Sequence, residues 1–514
     1  MRVATDLPNS GWVALIVTAF GLCWSLSIDG GFQGFDDLHY LEAAQHWLQL
    51  GPYIPQDHWA SRLPLVLSFT AGLAIWGPDS TALIVPSVIF YLIVVFCCWN
   101  LGRLICGPQK AISFILILVA TPMVFRIPTS FYPEGLEAAS ALSMITLALY
   151  GMWEREGFVR DVMLVGAGVC GGLALLVRET AIAVPIAISI VLLWDNRASL
   201  GSGFRRVFLM ALGTAIPVVI ECIYYLIMVG NPLYRLVIDS RHVLIPSDHL
   251  NGKIYTGGSP LFNWELARMW SPPSVFHLHW TINGFINLFA SPAATLVPLL
   301  GVLGCWKAWR EGGRMRSFAL LVFILVILQY IVNTFVLVIA PNVRYLIDAV
   351  VLLACMAGYF ILSLKSKLMT VVLLGAVYAC GAIIGFAQPS AMPAVRALRQ
   401  FSKDGPIIYV PQGIADMSYL ERLQNAELNQ KVSIGEAPIG ALAAKMNLNG
   451  DEAALKEQCS DGRDKWIIVD TAYDVESVPY FVVKYLGIDK YMPETILQYL
   501  RRSTERMSLA RRVC

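Results

Sequence analysis

The chain has 514 residues, of which 57% are hydrophobic and only 14% charged, and its mean hydropathy is +0.62. Soluble domains carry about 25% charged residues, so this composition excludes an ordinary soluble protein. The formal net charge of +2 gives no indication of a nucleic-acid partner.

Apolar segments of the kind that form membrane helices recur along the first 388 residues. A helix that crosses the hydrocarbon core needs about 20 predominantly apolar residues, and most of these segments approach that length. The first follows a single arginine and lacks a small-residue cleavage site, so we expect it to be retained as a helix. In chain order the segments are residues 11–28, 63–76, 81–101, 111–125, 136–153, 162–177, 181–194, 207–228, 286–306, 318–339, 346–364 and 368–387.

The distribution of basic residues predicts which segments cross the membrane. Cytoplasmic connections are enriched in lysine and arginine, and the basic short connections all fall on one side only if Leu63–Trp76 does not cross. This segment is short and ends at Gly77-Pro78, so we predict a helix that lies in the outer interface. About eleven crossings remain, with the N-terminus in the cytoplasm and Asp36-Asp37 on the extracytoplasmic face.

Residues 389–514 differ in composition from the preceding part and are predicted to form a separate domain. Residues 406–410 and 466–470 have the length and β-branched content of buried strands, whereas residues 415–424 and 439–446 have helical periodicity. The predicted fold class is therefore a polytopic α-helical membrane domain, residues 1–388, with about eleven transmembrane helices and outer interfacial helices. A small extracytoplasmic α/β domain, residues 389–514, follows it.

The stretch from Gly30 to Tyr40 contains the strongest candidate for a catalytic group. Asp36 and Asp37 begin a segment of helical periodicity, and the preceding glycines allow the backbone to approach a ligand closely. One aspartate would suffice as a helix N-cap, whereas a carboxylate at the membrane surface can also act as a general base toward a hydroxyl. We assign Asp36 as the base, and Asp37 as either a second catalytic carboxylate or a cap. His39 is a candidate for substrate binding.

Four further charged residues on the predicted outer face are candidates, each with a structural alternative. Arg62 is suited to clamp a phosphate, or it extends to the lipid headgroups. Glu134 is a second candidate catalytic carboxylate, or it stabilises the start of a helix through the helix dipole. Arg178 and Glu179 join two short apolar segments, where charged groups are costly and usually functional, unless they only pair with each other. All four are assigned here as site residues.

A late turn between two predicted crossings supplies the last candidates. Arg344 and Tyr345 lie there, and Arg344 would either bind substrate or anchor the chain at the headgroups. His277 and His279 alternate as metal ligands do, but no third ligand is evident. The sequence therefore does not indicate a divalent metal, and we assign no cofactor.

These residues, in this order, resemble the GT-C glycosyltransferases, in particular the branch that contains the protein O-mannosyltransferases and the lipid A aminoarabinose transferases. The resemblance covers residues 1–390 and rests on Asp36-Asp37, Arg62 before Pro64-Leu65, Glu134, Gly172–Glu179 and Arg344–Leu346. It implies a sugar donor carried on a polyprenyl or dolichyl phosphate, an outer-loop aspartate that deprotonates the acceptor, and phosphate contacts at Arg178 and Arg344. The chain departs from many members in having Asp-Asp instead of Asp-Glu, and arginine instead of lysine before the prolines.

The sequence thus predicts an inverting membrane glycosyltransferase in the plasma membrane of a bacterium, with its active site and C-terminal domain on the extracytoplasmic side. Its expected partners are a polyprenyl-phosphate sugar, a glycolipid, polysaccharide or protein acceptor, and the lipid bilayer, without nucleic acid. The alternative is a multi-span transporter or flippase of a lipid-linked or anionic solute. Transporters place ionisable residues near the bilayer midplane; here Glu221 is the main such residue, which favours the enzyme.

Overall fold

A bundle of α-helices makes up the described part of the first 386 residues in this computed structural model. The structure describes residues 7–27, 32, 36–108, 110–153 and 155–242. It also describes four positions between 285 and 291 and the ranges 293–337 and 343–386. In the C-terminal part it describes residues 407–410, 419–424, 432–434, 465–471 and 507–512, with four positions between 490 and 497.

The helices follow the apolar segments of the sequence. They are α1 (Leu7–Ser27), α2 (Asp36–Leu50), α3 (Leu63–Trp76), α4 (Thr81–Cys106), α5 (Ile112–Leu116), α6 (Pro122–Phe125), α7 (Glu134–Trp153), α8 (Gly157–Val177), α9 (Ala183–Asp195), α10 (Leu200–Val229), α11 (Tyr234–His242), α12 (Val297–Glu311), α13 (Gly313–Ile331), α14 (Ile347–Leu362), α15 (Lys367–Phe386) and α16 (Tyr419–Gln424). Short 3-10 helices include Glu179–Ile182 and Val343–Leu346, and a π-helix, Val332–Val336, continues α13.

Seven helices among the described residues are long and apolar enough to cross a membrane, judged by length and composition alone. They are α4, α7, α8, α10, α13 with its π-helix, α14 with the preceding 3-10 turn, and α15. An eighth crossing results if Ile112–Ala120 and Pro122–Thr129, which meet at an angle of 81°, form one broken span. The break falls where Pro122 forces the preceding residue, Thr121, into an extended conformation. The larger count of about eleven stays a prediction.

The two ends of the bundle carry different polar contacts. At one end the basic connections meet, because Arg314 donates hydrogen bonds to the carbonyls of Leu104 (3.2 Å) and Trp153 (3.3 Å). At the other end Arg62, which precedes α3, contacts Tyr40 of α2. Since α4 reaches the Arg314 end with its C-terminus, its N-terminus lies at the Tyr40 end. The C-terminus of α3, which precedes α4, therefore also lies at the Tyr40 end. That α3 lies in the outer interface without crossing stays a prediction.

Close helix packing at two glycines positions the charged residues of the site. Helices α8 and α10 approach so closely that a Cβ atom at Gly168 would lie 2.0 Å from the carbonyl oxygen of Met210, and one at Gly213 would lie 2.1 Å from that of Val165. Small residues permit this kind of contact between membrane helices. The contact sets α10, which carries Glu221, beside the C-terminal half of α8, which leads into Arg178.

The described C-terminal residues contain a four-stranded sheet. Its strands are β1 (Ile407–Val410), β2 (Val432–Ile434), β3 (Lys465–Thr471) and β4 (Met507–Arg512), in the order β2-β1-β3-β4. Strand β1 is parallel to β2 and β3, and β4 is antiparallel to β3.

Three of these C-terminal elements fall on segments for which the sequence made predictions. Strands β1 and β3 coincide with the predicted strands, and α16 falls within residues 415–424. The predicted helix at 439–446 lies outside the described residues. That residues 389–514 form a separate α/β domain stays a prediction.

Candidate active site

The two adjacent aspartates at the start of α2 have different surroundings. The side chain of Asp36 is 23% exposed, and its Oδ2 atom lies 3.4 Å from Nη2 of Arg344. Asp37 is buried, because neighbouring residues on a helix point about 100° apart. Asp36 is therefore the carboxylate that a substrate can reach, whereas the burial of Asp37 favours a structural role.

Arg344 lies between two carboxylates and two aromatic rings. Besides Asp36, its Nε atom is 3.7 Å from Oε1 of Glu134, and its guanidinium carbon lies 5.2 Å from the ring centre of Tyr345 and 5.9 Å from that of Tyr132. Charge-assisted hydrogen bonds are typically about 2.7–2.9 Å long, so both ion pairs are loose. The side chain is also 36% exposed. Arg344 is thus oriented toward the site, and a substrate anion can compete for it.

Arg178 is buried and paired tightly with two other acids. Its Nη2 atom lies 2.9 Å from Oε1 of Glu134, and its Nη1 atom lies 3.0 Å from Oε2 of Glu137. The other oxygen of Glu137 accepts a hydrogen bond from Thr180 at 2.9 Å, and the ring of Tyr345 covers the guanidinium at 4.9 Å. A buried charge needs such pairing because its desolvation costs several kcal/mol.

This geometry favours a role for Arg178 that differs from the phosphate contact implied by the resemblance. Its two terminal nitrogens are occupied by carboxylates and its side chain is only 2% exposed, so it positions Glu134 and Glu137, and a direct phosphate contact is not supported. The alternative, pairing between Arg178 and Glu179, does not occur either. Glu179 points to a different arginine.

That arginine is Arg235, at the start of α11, and three carboxylates surround it. Its guanidinium lies 2.5 Å from Glu179, 3.1 Å from Glu221 and 3.3 Å from Asp239, and it also donates a hydrogen bond to the carbonyl of Leu176 at 2.7 Å. We call these four charged residues the Arg235 cluster. Glu221, the charge that the sequence placed deep in the membrane, is therefore paired.

The carboxylates of the Arg235 cluster that lie outside the membrane spans have pKa values shifted in opposite directions. Burial opposes the ionisation of Glu179, but Arg235 and then Arg62 outweigh it and lower the pKa of Glu179 to about 2. Burial and the negative charge of Glu179 outweigh Arg235 and raise the pKa of Asp239 to about 7. The cluster thus carries less negative charge at neutral pH than three ionised carboxylates would give it.

Arg62 is the cation of the site without a close acidic partner. It donates a hydrogen bond to the hydroxyl oxygen of Tyr40, and within the described part of the chain no carboxylate lies in ion-pair contact with it. Tyr40 is fully buried, and burial raises the pKa of its phenol above the usual range, although Arg62 opposes the shift. Tyr40 therefore stays neutral and orients Arg62 without neutralising it.

Sequence reasoning missed several residues that the structure brings into the site. Glu137 follows Glu134 by three positions, a spacing that places both on one helix face and was a usable signal. Asp348, at the start of α14, is fully buried and accepts a hydrogen bond from Gln329 at 2.9 Å. Both acids stand in the first turns of their helices at the Asp36 end of the bundle, so they add to the concentration of charge at that end.

The described residues contain no group of three or more His, Cys, Asp or Glu side chains arranged to hold a metal ion. His277 and His279 lie outside the described residues.

Known proteins share this architecture. Residues 64–229 match the family model of the dolichyl-phosphate-mannose-protein mannosyltransferases. ArnT from Cupriavidus metallidurans bound to undecaprenyl phosphate is 16% identical, with a TM-score of 0.51 over 94% of this chain and 96% of that chain. The Archaeoglobus fulgidus oligosaccharyltransferase is 12% identical, with a TM-score of 0.50 over 88% of this chain and 68% of that chain. No curated protein sequence matches the chain significantly.

Proposed function

We propose that this chain is an inverting glycosyltransferase of the GT-C superfamily, supported by the family-model match over residues 64–229 and by the fold that it shares with ArnT. It transfers a sugar from a polyprenyl-phosphate donor to a hydroxyl of an acceptor. The lipid phosphate bound to ArnT supports a donor of this class. The acceptor is a glycolipid, a polysaccharide or a protein.

The observation that carries the proposal is the pairing of an accessible carboxylate, Asp36, with the half-exposed cation Arg344 at 3.4 Å. Asp36 takes the proton of the acceptor hydroxyl while the acceptor oxygen attacks the anomeric carbon. The bond between that carbon and the phosphate oxygen breaks, and the lipid phosphate leaves with the electron pair. Inversion follows because attack and departure take place on opposite faces of the sugar.

The arginines bind the donor phosphate or position other charged groups of the site. A phosphate is a stable leaving group, so the protein mainly orients the reactants and stabilises the departing charge. Arg62 and Arg344 are placed to do this, since guanidinium groups bind phosphate oxygens in pairs. Arg178 holds Glu134 at 2.9 Å, and the same oxygen of Glu134 lies 3.7 Å from Arg344.

The site faces the extracytoplasmic side in this proposal, in the plasma membrane of a bacterium. The support is the separation of charge along the bundle. The basic connections meet at the end where Arg314 contacts Leu104 and Trp153, which is the end that the positive-inside rule places in the cytoplasm. Asp36 lies at the opposite end.

The test is transfer by the Asp36→Asn variant. Purified full-length protein in nanodiscs is incubated with a panel of radiolabelled polyprenyl-phosphate sugars and membrane extract, and label transfer is measured. We expect the variant to lose about 10²–10⁴-fold in rate, the usual contribution of a general base, while folding and insertion persist. Asp161→Asn is the matched control, because Asp161 pairs with Arg205 at the other end of the bundle. Near-normal transfer by Asp36→Asn, or no transfer by the wild-type protein from any donor in the panel, would contradict the proposal.

A further inference from the structure

A polar cavity lies along α2, beside the proposed active site but separate from its arginines. Its volume is about 460 Å³, within the range of about 300–1,000 Å³ typical of small-molecule sites. Its polar lining comprises the carboxylates of Glu42 and Asp57, the imidazoles of His39 and His46, the hydroxyls of Tyr53 and Tyr419, and three glutamine amides from Gln45, Gln49 and Gln56.

The cavity begins one helical turn from the proposed base. His39 follows Asp36 by three residues, so the two share a face of α2. From Asp36 to Gln49 the helix rises ~20 Å at 1.5 Å per residue. His39 is the lining residue on α2 nearest in sequence to the proposed base, whereas Gln45 and Gln49 project from α2 about 180° and about 140° away from Asp36. A molecule with one hydroxyl at Asp36 therefore enters the cavity past His39.

The lining suits neutral hydroxyl groups. Gln45, Gln49 and Gln56 contribute amides, each with two donor hydrogens and an acceptor oxygen, and Glu42 and Asp57 contribute carboxylate acceptors. No lysine or arginine lines the cavity within the described residues. Among the described lining residues a phosphate therefore finds no arginine or lysine, in contrast to the site formed by Arg62 and Arg344.

A ring contact orients His39 in the cavity, and a hydrogen bond orients Gln45. The imidazole of His39 stacks on the ring of Trp59, with centroids 4.3 Å apart and an angle of 14° between the planes. Tyr419, in α16, donates a hydrogen bond to Oε1 of Gln45 at 2.9 Å. That bond occupies the amide oxygen of Gln45, so the donor that the residue can offer a ligand is its NH₂ group.

We propose that this cavity binds the neutral, hydroxyl-rich saccharide part of the acceptor and presents its attacking hydroxyl to Asp36. The inference rests on the proposed transferase function, which it deepens by giving the acceptor a binding site. The C-terminal part of the chain takes part in acceptor binding through Tyr419. Donor and acceptor are then distinguished by charge: the phosphate binds to arginines, and the acceptor binds to amides and two carboxylates, Glu42 and Asp57.

Saturation-transfer NMR on the full-length protein in nanodiscs tests this. The probes are neutral trisaccharides (maltotriose, cellotriose and mannotriose), with glucose 1-phosphate and glucosamine as charged comparisons. We expect at least one neutral trisaccharide to receive saturation from the wild-type protein, and the Gln45→Ala/Gln49→Ala variant to bind it about tenfold more weakly, a loss of about 1.4 kcal/mol. Asn100→Ala is the matched control, since it removes an exposed amide near the opposite end of α4 and leaves the cavity intact.

The outcomes are decisive in either direction. The proposal would be overturned if no neutral trisaccharide received saturation, or if only glucosamine or glucose 1-phosphate did. Equal saturation of the trisaccharide by the double variant and the wild type would overturn it as well. Binding of undecaprenyl phosphate, measured on the same samples, shows that the double variant is folded. Asp36→Asn lowers transfer about 10²–10⁴-fold in the proposed function but keeps the cavity, so this variant should still bind the trisaccharide. For the wild type, binding without any transfer contradicts the transferase, whereas transfer without binding contradicts the cavity.

Discussion

Two arginine-centred clusters lie near the same end of the bundle, and they differ in how much of the arginine remains accessible. In the Arg235 cluster the arginine is only 8% exposed and is held by three carboxylates at 2.5–3.3 Å. In the Arg344 cluster, which comprises Arg344, Asp36, Glu134, Arg178 and Glu137, the outer arginine is 36% exposed and its ion pairs measure 3.4 and 3.7 Å. The same residue types therefore form a closed structural contact in one place and an open binding site in the other.

The closed cluster connects three separate elements. Arg235 belongs to α11, Glu221 to α10, and Glu179 to the 3-10 turn after α8, while the carbonyl of Leu176 fixes the guanidinium at the end of α8. This arrangement holds the Arg178-Glu179 turn in place. Because the side chain of Arg178 extends from that turn, the Arg235 cluster helps to position the Arg344 cluster.

The largest expected effect is the loss of the closed cluster's cation. Arg235→Ala leaves three carboxylates near one another without a positive charge, and removing one partner of a buried ion pair typically costs about 3–5 kcal/mol. We expect a large fall in the thermal unfolding temperature of the detergent-solubilised protein, measured by intrinsic tryptophan fluorescence.

A matched control is Arg205→Ala, because Arg205 also pairs with an acid, Asp161, but is 60% exposed. Exposed pairs contribute about 0–1 kcal/mol, so this variant is expected to unfold close to the wild-type temperature. Equal destabilisation by the two substitutions would mean that the Arg235 cluster is not the structural contact described here.

The next effect concerns the buried half of the open cluster. Arg178→Lys replaces the guanidinium, which contacts Glu134 and Glu137 at the same time, with a single ammonium group. We expect kcat to fall about 10–100-fold, because Glu134 loses its orientation and a small misplacement in an active site costs up to about 10²-fold. The measurement is steady-state transfer in nanodiscs. An unchanged kcat with a raised KM for the donor would instead restore Arg178 as a phosphate contact.

Arg344→Lys is expected to change mainly KM, whereas Arg178→Lys is expected to change mainly kcat. A lysine cannot reach Asp36 and a donor phosphate with the paired geometry of a guanidinium, and the residue is accessible, so we expect the donor KM to rise about tenfold, or about 1.4 kcal/mol. The unfolding temperature should stay within a few degrees of the wild type. A change confined to stability would place Arg344 with the structural arginines.

The sequence predicted the members of the open cluster better than their contacts. Asp36, Glu134 and Arg344 were found because each interrupts an apolar pattern near a helix start. Their pairing was not predictable, since Asp36 and Arg344 are 308 positions apart and side-chain contacts between distant helices leave no mark on local periodicity.

The closed cluster was missed for a related reason. Arg235 lies just beyond an apolar segment, among other basic and aromatic residues, and nothing in its surroundings distinguished it from an interfacial anchor.

Helix positions followed the apolar segments because burial in lipid demands an unbroken hydrogen-bonded helix. The 81° break between α5 and α6 was the exception, and Pro122 was its local signal.

The smallest expected effect is a pH dependence that belongs to the closed cluster alone. The pKa of Asp239 is raised from 3.8 to about 7, chiefly by burial and then by the charge of Glu179. The folded state therefore holds this proton more tightly than the unfolded state, and Asp239 reduces stability progressively as the pH rises from about 4 to about 7. Asp239→Asn imitates the protonated form, so its unfolding temperature should rise by a few degrees relative to the wild type between about pH 5 and pH 8. Glu179, whose pKa is lowered to about 2, contributes stability that is lost only at lower pH, so it does not interfere in this window. A difference between the two proteins that stays constant or shrinks with rising pH would show that Asp239 is ionised throughout, and that the closed cluster is held by charge on all three acids.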